Sequence, residues 1–182
     1  IQFSSGVQAD GNFSIAGTSS GTTIQSLSGA STGTVALGSR TLTLSTGTGT
    51  FAGVIGGTGG LNVNGSGTET LSGINTYSGA TAVGSGETLA ITGTGSLANS
   101  AVAVTGIFDI SGTTTGTSIK SLSGSGTVKL GSKLLTLNNA SGTFSGVIED
   151  PVGAGLEIAG GTETLTGVNT YKGVTTIDSG AT

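Results

Sequence analysis

The chain has 182 residues with a formal net charge of −4, and it contains 37 glycines, five basic residues and nine acidic ones. It has neither His nor Cys, which excludes the usual protein ligands of zinc and iron. Five scattered basic residues also exclude the positive surface typical of nucleic-acid-binding proteins. No apolar run approaches the roughly 18 residues of a membrane-spanning helix.

Short segments of alternating apolar and polar residues recur along the chain, closed by Gly, Ser or Asn. In chain order they include Leu42–Leu44, Leu61–Val63, Leu89–Ile91, Val102–Val104 and Leu135–Leu137. Alternation over a few residues between such turn formers predicts β-strands. Glycine is too frequent for helices, since each one costs about 1 kcal/mol relative to alanine. The sequence therefore predicts an all-β protein.

Longer passages return 93 to 95 residues later. The matched passages are Phe13–Gly17 with Phe108–Gly112, Gly49–Ile55 with Gly142–Ile148, and Thr68–Tyr77 with Thr162–Tyr171. Self-similarity at a fixed period is typical of repeat architectures. We therefore predict an internal duplication, with copies at approximately 13–88 and 108–182. Both copies are expected to lie in one β-solenoid segment, residues 1–182, of a longer protein.

Two all-β architectures fit this pattern, the sandwich and the solenoid. A sandwich has a compact core that usually contains aromatic residues, and this chain has only five Phe and two Tyr. A solenoid needs only a thin line of apolar residues inside each coil. Equivalent residues recur on one track at Val63, Val83 and Val104, and on another at Leu71, Ile91 and Ile110. This spacing predicts a β-solenoid of roughly nine coils of about 20 residues, each rising about 4.8 Å.

The segments Gly65–Thr81 and Gly161–Thr175 resemble the passenger-associated repeat of bacterial autotransporters, and Gly49–Leu61 resembles the block that usually precedes it. The resemblance implies a right-handed parallel β-helix outside a Gram-negative cell, anchored at the outer membrane or released from it. It also implies an N-terminal signal and a C-terminal membrane barrel beyond this chain.

Two features depart from that repeat. Glu69 and Glu163 occupy a position where an apolar residue is common, and alternation puts Glu69 on the same side as Leu71. A buried carboxylate would need a partner or would have a raised pKa, so we expect each Glu to lie at a corner and reach solvent. The second departure is Glu149–Val152, which replaces two glycines and adds two residues. It is expected to form a small protruding loop.

No catalytic, cofactor-binding or metal-binding residue is predicted. Gly17–Gly21 matches the nucleophile-elbow string, but the chain has no His to activate its serine. Tyr77 and Tyr171 each follow Asn-Thr, and we expect them to pack over a coil edge, with stacking on a sugar as the alternative.

The favoured function is a structural or adhesive segment of a surface protein, acting as a stalk, an adhesin or a self-associating fibre, for example in a biofilm. One alternative is a polysaccharide-active β-helix enzyme, although Asp109, Glu157 and Glu163 lie in different motifs. Another is an ice-binding solenoid, although the Thr-x-Thr pairs are irregularly spaced. The expected partners are other copies, bound through coil ends or edges, and a host or matrix polysaccharide or protein. No nucleic-acid partner is expected, and contact with a membrane is expected only through the C-terminal barrel.

Overall fold

The computed structural model describes residues 5–182, which form short strands joined by turns. These residues contain no α-helix, and every strand pairing among them is parallel. The strands are β1 Val7–Gln8, β2 Asn12–Ser14, β3 Thr22–Ile24, β4 Leu27–Ser28, β5 Thr34–Ala36, β6 Leu42–Leu44, β7 Thr50–Phe51, β8 Val54–Gly56, β9 Leu61–Val63, β10 Thr68–Leu71, β11 Thr81–Val83, β12 Thr88–Gly93, β13 Leu97–Val104, β14 Ile107–Thr113, β15 Gly116–Gly124, β16 Thr127–Lys129, β17 Leu134–Leu137, β18 Thr143–Phe144, β19 Val147–Glu149, β20 Leu156–Ile158, β21 Thr164–Leu165 and β22 Thr175–Ile177.

The strands belong to stacked sheets in which neighbours come from successive coils. The largest sheet follows the order β22-β20-β17-β15-β13-β11-β9-β6-β3. A second sheet runs β19-β16-β14-β12-β10-β7, and a third runs β2-β5-β8. Because each strand pairs with one about 20 residues away, the chain winds as a parallel β-solenoid of about nine turns. The predicted all-β solenoid is confirmed.

The core is a set of apolar columns inside the coils. Val63 pairs with Val83, and Val83 pairs with Val104. All three are at most 1% exposed, so the first predicted track is confirmed. On the second track Leu71 pairs with Ile91. Burying side chains of this size contributes roughly 1.5–3 kcal/mol each, which makes the columns the main source of stability.

Glycine makes the corners possible where the coil turns sharply. Gly38 and Gly131 have φ values of 60° and 64°, which side chains with a Cβ rarely adopt. A Cβ at Gly38 would also come within 2.8 Å of the Ala16 Cβ, and one at Gly131 within 2.6 Å of the Ser111 Cβ. The two corners are therefore built in the same way, 93 residues apart.

The loop predicted at Glu149–Val152 is present in part. Glu149 is the last residue of β19, while Pro151 and Val152 project into solvent. Asp150 is only 3% exposed, because its carboxylate turns back and accepts hydrogen bonds from the loop amides. Separately, no helix within residues 5–182 is long and apolar enough to span a membrane.

Candidate functional site

The interior contains carboxyl groups, which is the main correction to the sequence analysis. Glu69 is 0% exposed, so the expectation that it lies at a corner and reaches solvent is wrong. It lies on β10 in register with Leu89 of β12, and therefore occupies an inward-facing position of an apolar column. Glu163 is half-buried rather than free in solvent.

Both carboxyl groups are held by a glycine amide one coil earlier. The amide of Gly49 donates to Oε2 of Glu69 at 2.8 Å, and the amide of Gly142 donates to Oε2 of Glu163 at 3.3 Å. The other oxygen, Oε1, is buried without a hydrogen-bond partner in each case. The two sites thus share one geometry and one unsatisfied atom.

The glycines explain why a glutamate fits inside the coil. A Cβ on Gly49 would lie 1.9 Å from the carbonyl oxygen of Leu27 and 3.0 Å from Oε2 of Glu69. A Cβ on Gly142 would lie 1.8 Å from the carbonyl oxygen of Leu122. Glycine is therefore required at both positions by the close approach of the neighbouring coil, and its bare amide is free to bind the carboxyl group.

A third buried carboxyl group, that of Glu87, lies close to Glu69. Glu87 is 0% exposed, and the amide of Gly67 donates to its Oε2 at 3.4 Å. A Cβ at Gly47 would come within 2.4 Å of Oε1 of Glu87. The Glu87 side chain therefore reaches back to the corner that contains Gly47 and Gly49. That oxygen also lacks a hydrogen-bond partner.

Burial changes the acidity of these groups. It raises the pKa of Glu69 to about 7, against the opposing effect of hydrogen bonds from the Gly49 and Leu27 amides, and the nearby charge of Glu87 raises it further. Burial also raises the pKa of Glu163 to about 7 and raises that of Glu87. Near neutral pH the interior therefore carries carboxyl groups that are partly protonated, as desolvation of the charged form requires.

A polar network that sequence reasoning missed is centred on Asn75. Its Oδ1 accepts a hydrogen bond from the Ile55 amide at 2.9 Å, and its Nδ2 donates to the Gly73 carbonyl at 3.0 Å. Asn169 repeats these contacts, with its Oδ1 accepting from the Ile148 amide at 2.8 Å. The available signal was the passage Asn-Thr-Tyr between two glycines, which occurs in both repeats.

The tyrosines belong to the same polar interior. Tyr77 is 1% exposed, and its hydroxyl is 2.6 Å from that of Thr81, which is in turn 2.8 Å from that of Ser100. Tyr171 is half-buried and makes the same contact with Thr175 at 2.6 Å. The sequence analysis expected both rings to pack over a coil edge, whereas Tyr77 is enclosed in the interior and Tyr171 is half-buried.

Two surface grooves are lined by strand positions that lie 93 residues apart in the sequence, such as Ala36 and Lys129 or Gly56 and Glu149. One, of about 500 Å³, includes Lys129, Glu149 and Lys172 in its lining. The other, of about 400 Å³, is lined at the corresponding positions by small uncharged residues that include Ala36 and Gly56. The pairing of Lys129 with Glu149 has the same register as that of Ala36 with Gly56.

The carboxyl groups of Glu69 and Glu163 are not spaced as the paired acid and base of a glycosidase are. Glu69 and Glu163 lie five coils apart, or roughly 24 Å at about 4.8 Å per coil, whereas the paired carboxyl groups of glycosidases lie about 5–9.5 Å apart. Glu69 and Glu87 are closer, but both are enclosed and neither lines a groove. Among residues 5–182, no group of three or more potential metal ligands is found together.

Comparison with known proteins points to one class. A family model for the passenger-associated-transport-repeat matches residues 61–91 and 160–182. The adhesin BmaC autotransporter of Brucella suis biovar 1 (strain 1330) is 39% identical over 145 residues, which cover 72% of this chain and 4% of the relative. The chain therefore matches only a small fraction of that protein's length. No solved structure gave a significant match.

The two family-model matches overlap the segments Gly65–Thr81 and Gly161–Thr175, where the sequence analysis placed the repeat. The matched segments contain Glu69 and Asn75 in one case and Glu163 and Asn169 in the other, while the amides that bind these side chains lie one coil earlier. The resemblance to autotransporter passengers is confirmed, as is the location that it implies, either outside the cell or anchored at its outer membrane. The chain is a repetitive β-solenoid that carries two matches to the passenger-associated repeat of bacterial autotransporters.

Proposed function

We propose that this chain is a structural and adhesive segment of a secreted bacterial surface protein, acting as a stalk that carries binding surfaces away from the cell. The observation that carries this proposal is the uniformity of the coil stack. Its apolar columns continue from coil to coil, and the buried carboxyl groups of Glu69 and Glu87 contact backbone amides instead of a cleft. A solenoid of this kind gains stability from each neighbouring coil and extends in one dimension.

The proposal is tested by displaying the chain on a bacterial surface and measuring attachment of the cells to an abiotic surface and to one another. A control display carries a flexible Gly/Ser linker of the same number of residues. We expect more attachment or clumping with the solenoid than with the linker, because only the solenoid is a stiff rod with an ordered surface. Equal attachment by the two displays would contradict the adhesive role.

We also propose that the chain is not an enzyme. The similarity to an adhesin supports this, and so does the enclosure of Glu69. Purified chain should release no reducing ends from neutral or acidic polysaccharides. Cleavage that is abolished by Glu69→Gln would overturn the structural interpretation, since it would require the buried carboxyl to reach substrate.

The expected duplication and self-association belong to the same proposal. The matched contacts of Glu69 with Gly49 and of Glu163 with Gly142 support the interpretation of residues 13–88 and 108–182 as two copies of one unit. Self-association is measured by sedimentation velocity at increasing concentration. A constant sedimentation coefficient would contradict it.

A further inference from the structure

The groove of the second repeat differs from its counterpart by charge. For this comparison, the charged groove is the one lined by Ser111, Lys129, Glu149, Asp150, Thr170 and Lys172. Ala36 and Gly56 stand where Lys129 and Glu149 stand, on strands paired in the same register. The paired strands therefore match, whereas the side chains at these positions differ and the loop at Asp150–Val152 is longer in the second repeat.

The charged groove is a built feature. Its wall is the loop that begins at Asp150, whose carboxylate accepts hydrogen bonds from the amides of Val152 (2.9 Å), Gly153 and Ala154. Burial acts to raise the pKa of Asp150, but these amides and the charge of Lys172 together hold it below its ordinary value. The loop is thus organised around an ionised carboxylate instead of hanging free.

Several polar groups of the groove are left unused by the protein. Within residues 5–182, no side-chain hydrogen bond or ion pair engages the ammonium group of Lys129, the carboxylate of Glu149 or the hydroxyl of Thr170. They come from three successive coils, so they form a line along the solenoid axis. With Ser111 on the preceding coil, the line covers three coil spacings, or roughly 14 Å at about 4.8 Å each.

The charges of the groove restrict the chemistry of a ligand. Glu149 and Asp109 are both in register with Lys129, on the coils that flank it. Lys172 lies beside the buried Asp150. A polyanion would therefore meet partly exposed carboxylates, and a polycation would meet two ammonium groups. An apolar ligand would leave these groups desolvated and unpaired, which is costly. A hydroxyl group, in contrast, donates and accepts at once, and so it can use ammonium, carboxylate and hydroxyl partners side by side.

We propose that the charged groove binds a neutral, hydroxyl-rich polysaccharide that lies along the solenoid axis. The proposal deepens the adhesive function given above and rests on it, because it names the class of ligand that one surface of the segment would hold. The groove of the first repeat, which lacks charged residues at these positions, should not bind the same ligand.

The test uses the purified 182-residue chain in native gels that contain dextran, pullulan or laminarin as neutral polysaccharides, with polygalacturonate as an anionic control. We expect at least one neutral polysaccharide to retard the chain. The double variant Lys129→Ala/Glu149→Gly gives the groove the residues of the first repeat. It should bind roughly tenfold more weakly, since it loses a charged donor and a charged acceptor.

Lys120→Ala is the matched control, because it removes an exposed lysine that does not line the charged groove. It should be retarded like the wild-type chain, and circular dichroism should show the same strand content in all three proteins. The proposal is overturned if no neutral polysaccharide retards the wild-type chain, if the double variant is retarded equally, or if only polygalacturonate binds. None of these outcomes determines the result of the attachment assay. A failure of polysaccharide binding by the charged groove can therefore be distinguished from a failure of the adhesive function.

Discussion

Glu69→Gln tests whether the solenoid interior contains a carboxyl group with greatly weakened acidity. Gln has nearly the same shape as Glu, and its amide oxygen can accept the hydrogen bond that the Gly49 amide now donates to Glu69. It carries no charge at any pH. The substitution therefore removes the titration of this residue while keeping its packing.

The expected magnitude follows from linkage between protonation and folding. The pKa of Glu69 is about 7 in the folded chain against an ordinary value of 4.5, and each tenfold change in proton affinity corresponds to about 1.4 kcal/mol. Because the folded-state pKa is raised, the favourable contribution is complete below pH 4.5 and is lost as pH rises to about 7. Over that full range the loss is about 3 kcal/mol.

The measurement is the free energy of unfolding by urea of the wild-type and Glu69→Gln chains at several pH values. Very acidic buffers are avoided, because the isoelectric point is near 4.4 and a chain without net charge tends to associate. Between about pH 5.5 and about pH 8.5, we expect the wild-type chain to lose roughly 2 kcal/mol relative to the variant. Hydrogen exchange of the Gly49 amide gives a local measurement if the repeat unfolds in stages.

The comparison is a difference between two proteins across pH, so the contribution of the distant Glu163 largely cancels, whereas that of Glu87 cancels only in part because its charge acts on Glu69. Taking this difference also removes the cost of burying the unpaired side-chain amide hydrogens of the Glu69→Gln variant, since that cost is the same at every pH. Glu157→Gln, on the outward face of β20, is the control for a carboxyl-to-amide change at the surface. The reasoning would be refuted if the Glu69→Gln difference were the same at every pH, or if it grew in favour of the wild-type chain as pH rose.

Two further substitutions test the other interior contacts. Gly49→Ala should destabilise the chain by at least about 2 kcal/mol, because the new Cβ would lie 1.9 Å from the Leu27 carbonyl oxygen. The control is Gly11→Ala, whose Cβ would have nothing within 4 Å and which should change stability by less than about 1 kcal/mol. Equal effects of the two substitutions on urea unfolding would contradict the close-approach argument. Asn75→Ala should cost about 1–3 kcal/mol, because the Ile55 amide loses its acceptor. Faster hydrogen exchange at the Ile55 amide is the accompanying signature, and unchanged exchange there would count against it.

The architecture could be predicted because it depends on a pattern that repeats. Val63, Val83 and Val104 recur at one interval, and the structure stacks them in register on parallel strands. Predicting such a column requires no knowledge of how individual side chains pack, since any apolar residue at the right interval adds to it. The same interval predicted the number of coils.

The interior carboxyl groups could not be placed because two sequence signals conflicted. Alternation put Glu69 on the inward side with Leu71, while the general exposure of glutamate argued for the surface. Alternation was the better guide. The deciding residue was Gly49, which lies 20 positions earlier and leaves the space and the amide that hold the carboxyl group. A contact between coils of this kind is visible only once the register is known.

The outward positions explain how one repeat can acquire a groove that the other lacks. Ala36 and Lys129 are equivalent, and each is followed by a fully buried leucine, Leu37 or Leu130. Since the buried columns supply most of the stability, exchanging an outward alanine for lysine should change it by about 0.5 kcal/mol or less. Outward residues can therefore vary from coil to coil while the inward residues maintain the fold. Differences in ligand binding between the two repeats should accordingly arise from outward positions such as Lys129.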